Sequence, residues 1–84
     1  MNLEIKKQAK TLKPMVRVGK SGINDSLIEE IKKHLKKRKI VKVKFLKNSA
    51  DRNVKEMAAN ISTLTSSDVI SVIGFTAVFY RNRK

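Results

Sequence analysis

The chain has 84 residues, 40% of them apolar, enough for one domain with a single modest core. It has no cysteine, which excludes disulfides, thiolate metal sites and a cysteine nucleophile and suits a reducing compartment. No apolar run reaches the length of a membrane-spanning helix and residues 1–13 are too charged for a secretory signal, so a soluble, cytoplasmic, monomeric protein with one domain over 1–84 is expected.

Charge is the dominant global property. Twenty Lys and Arg against seven Asp and Glu leave +13. Self-repulsion of that size opposes the compact state, which points to an anionic partner. Nucleic acid comes first. An anionic membrane surface comes second and would require a basic amphipathic helix with a broad apolar face.

In chain order, Ile5, Ala9 and Leu12 recur at helical spacing and predict a first helix over residues 3–13, ended by Pro14. Beside that stripe Lys6, Lys10 and Lys13 repeat the same spacing and lead to Arg17 and Lys20. Residues 15–18 read as a short strand, followed by Gly19-Lys20-Ser21-Gly22 and then Asn24, Asp25 and Ser26, all good helix N-caps. A nucleoside-triphosphate P-loop fails on spacing, because its first glycine would fall at Pro14. Two readings of the loop remain: a plain βα turn, and a Gly-x-x-Gly clamp on a nucleic-acid backbone of the kind KH modules use. In the second, Lys20 supplies a cation, Ser21 a hydroxyl, and the glycines close approach.

Leu27, Ile28, Ile31 and Leu35 predict a second helix over residues 25–37, and the Lys36–Lys39 cations suit its C-terminal dipole. His34, the one histidine, has no chemical companion. Residues 40–46 alternate cleanly, with Val41, Val43 and Phe45 on one face and Ile40, Lys42, Lys44 and Leu46 on the other, which leaves the lysine face at least partly open. A third helix over about 51–65 is expected to bury Val54, Met57, Ala58, Ile61 and Leu64. Asp68–Ile73 and residues 75–80 then form a hairpin about Gly74, with Gly-Phe suited to a type II′ turn. The order α-β-α-β-α-β-β predicts an α/β two-layer domain: a mixed four-stranded sheet with its helices grouped largely on one side. No constellation of acid, base, nucleophile or metal ligands is visible, so neither an enzyme nor a cofactor is expected.

Four separated blocks together resemble the CRM domain (chloroplast RNA splicing and ribosome maturation) in its stand-alone, YhbY-like form. They are Leu12-Lys13-Pro14; Val18-Gly19-Lys20-Ser21-Gly22-Ile23; Val41-Lys42-Val43-Lys44-Phe45-Leu46; and Val72-Ile73-Gly74 with Val78-Phe79-Tyr80-Arg81. The resemblance implies a fold similar to the C-terminal domain of bacterial translation initiation factor three. It also implies RNA binding: to large-subunit ribosomal precursors in stand-alone members, and in group II intron splicing in multi-domain plant members. Its Gly-x-x-Gly loop maps onto Gly19, Lys20, Ser21 and Gly22. Phe75 stands where the family pattern has a polar or basic residue, which suggests a small apolar contact at the hairpin tip.

The expectation is therefore a non-enzymatic RNA-binding protein that grips phosphates with Lys6, Lys10, Lys13, Arg17, Gly19, Lys20, Ser21, Gly22, Lys42 and Lys44. Its expected partner is structured ribosomal RNA or its precursor, including pre-ribosomal particles. The alternative is a general nucleic-acid or anionic-surface binder with no ribosomal role.

Overall fold

The computed structural model describes residues 7, 11–19, 22–46 and 53–81. Among the described residues, four strands and two helices follow in the order β1 (Val16–Val18), α1 (Asp25–Arg38), β2 (Ile40–Phe45), α2 (Val54–Thr65), β3 (Asp68–Ile73) and β4 (Thr76–Tyr80). The sheet order is β1-β2-β4-β3, with β1 and β2 parallel and β4 antiparallel to both of its neighbours. The strand β4 thus fills the gap left by the β2–α2–β3 crossover, giving the mixed sheet that the element order predicts. Of the predicted first helix, Lys7 and Thr11 are helical and the chain leaves helical geometry at Leu12; the rest lies outside the described residues.

Both described helices start on side-chain caps. Asn24 Oδ1 accepts from the Leu27 N–H at 2.8 Å, so Asn24 is chosen among the three candidate caps of α1. Asn53 Oδ1 accepts from the Glu56 N–H at 3.1 Å, and Asn53 Nδ2 donates to Glu56 Oε2 at 3.3 Å. The helix α2 therefore begins at Val54, later than the predicted start. Each helix ends on a left-handed residue, Lys39 (φ 66°) after α1 and Ser66 (φ 55°) after α2.

The main core lies between one sheet face and both helices. It joins Val41, Val43 and Phe45 of β2 to Ile31 and Leu35 of α1 and to Met57 and Ile61 of α2. Each fully buried aliphatic or Phe side chain contributes about 1.5–3 kcal/mol. The prediction for Leu64 is corrected: it is 52% exposed, and Thr65 is buried in its place. The helical arc set by Val54, Met57, Ala58 and Ile61 returns to the sheet one residue later than expected. There Thr65 Oγ1 donates to the Ile61 carbonyl at 2.7 Å and lies 2.7 Å from Ser67 Oγ, which satisfies its hydroxyl.

A smaller cluster occupies the other sheet face, where Leu12, Ile70 and Tyr80 pack on Ile40 and Val78. The helices α1 and α2 share one side, as expected, while Leu12 covers part of the other. A bulge in β3 serves both faces. Val69 pairs with Phe79 and Ser71 with Val78, so Ile70 is the extra residue. Only such a slip lets Val69 and Val72, three positions apart, both pack on the main core.

Candidate nucleic-acid interface

Topology gathers several features at one end of the sheet. The strands β1, β2 and β3 run in the same direction, so their C-terminal ends lie together. The 19–22 turn, the N-termini of α1 and α2 and the β3–β4 hairpin tip all emerge there. In open α/β sheets this is the end where ligands bind.

The turn after β1 is closed by the Gly22 N–H donating to the Gly19 carbonyl at 3.0 Å. That bond uses one of the amides that a backbone clamp would present to an anion. Gly22 has φ 71°, which a side chain would strain. Gly19 differs, because a Cβ built there would meet Leu46 Cδ1 at an ordinary 3.7 Å. The two framing glycines therefore have different reasons to be glycine: Gly22 for its backbone angle, Gly19 for none that the packing of the described residues imposes.

Strand register assembles the cations. Val16 and Val18 of β1 point into the main core, so Arg17 points to the opposite face and is exposed. On β2 the alternation does the same for Lys44, which is exposed, and Lys42, which is half-buried. The parallel pairing sets Arg17 directly beside Lys44, and Lys44 beside Thr76 of β4. Adjacent strands lie about 4.8 Å apart, so two like charges face outward as immediate neighbours. Such a pair repels and lowers stability in the free protein. An anion bridging the two would reverse that cost.

Of the ten residues expected at the site, Arg17, Lys42 and Lys44 share this sheet face, and Lys13 is exposed on the segment leading into β1. Gly19 and Gly22 frame the turn at the end of β1. Lys6, Lys10, Lys20 and Ser21 lie outside the described residues. The acids among the described residues lie mostly in the helical layer, at Asp25, Glu29, Glu30 and Glu56; Asp68 sits on β3, the sheet edge farthest from β1. His34 lies half-buried on α1, away from the cationic face. Sequence reasoning named Arg17 and Lys44 separately; their adjacency needed the parallel register.

These features define a small α/β domain with exposed cations on the sheet face away from α1 and α2 and a glycine-framed turn at the C-terminal end of its first strand. The chain belongs to the CRS1 / YhbY (CRM) domain family, whose profile matches residues 2–81. It is 33% identical over 81 residues to the Probable RNA-binding protein YqeI of Bacillus subtilis, covering 95% of this chain and 82% of that one. It is 32% identical over 85 residues to the Probable RNA-binding protein MJ0652 of Methanocaldococcus jannaschii, matching 100% of this chain and 63% of the relative. Its fold is similar to the solution structure of the hypothetical protein SAV1595 from Staphylococcus aureus, described as a candidate RNA-binding protein. That match has a TM-score of 0.78 and 36% identity, covering 96% of this chain and 83% of that one.

Proposed function

We propose that this protein is a non-enzymatic, monomeric RNA-binding domain of the cytoplasm that grips the phosphate backbone. The observation that carries this reading is the Arg17–Lys44 pair, two exposed cations placed side by side on the sheet face away from α1 and α2. Lys42 lies on the same face and Lys13 is exposed on the segment leading into β1; the proposed grip also includes Gly19, Gly22 and, outside the described residues, Lys6, Lys10, Lys20 and Ser21. The RNA-binding names of the relatives support it.

Binding energy comes mainly from counterion release, so affinity is high at low salt and sequence selectivity is modest. Few aromatic residues are available to stack bases along this surface, which favours structured RNA recognised by shape. The proposed partner is ribosomal RNA or its large-subunit precursor during ribosome assembly. Crosslinking in cells, followed by sequencing of the attached RNA, tests this. Enrichment of ribosomal RNA or its precursors is the expected result. Crosslinks spread over cellular RNA in proportion to abundance would remove the ribosomal role, and their absence would remove the RNA reading.

A further inference from the structure

The most exposed large apolar residues at the ligand end of the sheet are Ile73 (71% exposed) and Phe75 (43%). Neither exposure results from a loose loop. The bulge at Ile70 lets Val69 and Val72 both enter the main core, and by alternation it sends Ile73 outward. Ile73 then stands in the same cross-sheet row as Thr76, Lys44 and Arg17. Phe75 occupies the two-residue hairpin tip, where Gly74 takes φ 58°. Its carbonyl accepts from the Phe45 N–H at 2.6 Å, which ties the tip to the end of β2.

The same strand end connects the tip to the glycine turn. The Leu46 N–H donates to the Val18 carbonyl at 2.9 Å, one residue before Gly19. From β1 across β2 to the tip is therefore two strand spacings, about 10 Å. A stacked nucleic-acid strand covers that distance in roughly three nucleotides at 3.4 Å each. A Cβ added at Gly74 would meet nothing within 4 Å, so the tip is open at Gly74.

We infer that Phe75, with Ile73 beside it, is a base platform: it stacks an unpaired base of the RNA whose phosphates lie on Arg17 and Lys44. This rests on the RNA reading above and adds to it a preference for RNA in which a duplex meets a loop, bulge or end. Phosphates satisfy the cations, and an unstacked base offers the apolar face that Ile73 and Phe75 lack. An apolar protein partner would have to cover Ile73 and Phe75 while burying the adjacent Lys44 and Arg17 unpaired, which is costly. A second copy of this chain brings the same cations and suffers the same cost.

The test compares a stem–loop RNA with a fully paired duplex of equal phosphate count, binding each to the parent protein and to Phe75→Ala, Phe75→Leu and Phe75→Trp. Phe75→Ala weakens stem–loop binding about five-fold or more, changes duplex binding less than two-fold and leaves the salt dependence unaltered, because stacking releases no counterions. Phe75→Leu behaves like Phe75→Ala, since it restores apolar area but not a stacking face. Phe75→Trp binds as the parent does, and its fluorescence is quenched by the stem–loop. Equal affinities for parent and Phe75→Ala, equal losses on both RNAs, or full rescue by Phe75→Leu would overturn the platform while leaving the phosphate grip standing. Self-association of the parent that Phe75→Ala abolishes would assign the patch to a second copy and overturn it too. Failure of the parent to bind either RNA would overturn the RNA reading itself, and the platform with it.

Discussion

Glycine at positions 19 and 22 looks symmetrical in sequence, yet the two residues do different work. Gly22 holds a left-handed backbone angle and closes the turn with its own N–H. An Ala there should cost about 1–2 kcal/mol, lowering the melting temperature by about 4–8 °C for each kcal/mol. Gly19 has room for a methyl group against Leu46, so Gly19→Ala should leave the melting temperature unchanged or raise it slightly. Thermal unfolding of the two variants side by side decides the matter. Equal losses would show that the backbone angle at 22 is not what selects glycine. If Gly19→Ala folds normally but binds RNA poorly, the reason for glycine at 19 is the approach of the ligand.

Among the elements, α2 shows how far a periodic pattern carries. The arc from Val54 to Ile61 was legible because Met57 and Ala58 follow Val54, and Ile61 follows them both, by three or four positions, and all four are buried. Leu64 and Thr65 compete for the next turn, and hydrophobicity favours the wrong one. Geometry decides for Thr65, because its hydroxyl bonds the Ile61 carbonyl and so can be buried without penalty. Ile61→Ala should therefore destabilise the domain by about 2–5 kcal/mol, whereas Leu64→Ala should change it by about 0.5 kcal/mol or less in urea unfolding. Comparable losses would place Leu64 back in the core. The strand β3 was less legible for a different reason. Its bulge depends on what Val69 and Val72 meet across the sheet, which no local pattern in Asp68–Ile73 records. The cap of α1 was open among Asn24, Asp25 and Ser26, and only the hydrogen bond to Leu27 settles it.

For the whole molecule, a mixed four-stranded sheet could be anticipated from the order of strands and helices, and the excess of cations from composition alone, but the strand order β1-β2-β4-β3 could not. What the sequence could not place was Arg17 next to Lys44. They are far apart in the chain and meet only because β1 and β2 pair in parallel in one register. Two like charges set directly together violate a local rule of sheet stability, and such violations are expected where function compensates. The measurement that tests this most directly is the salt dependence of binding to a structured RNA, for the parent and for Arg17→Gln/Lys44→Gln. The parent should lose affinity with a log–log slope of about −3.5 to −4.5, for roughly five neutralised phosphates. The double variant should be at least as stable as the parent, because the repulsion is gone, and its slope should be shallower by about 1.4–1.8. A parent slope near zero, or a stable double variant with the parent's affinity and slope, would contradict the phosphate grip.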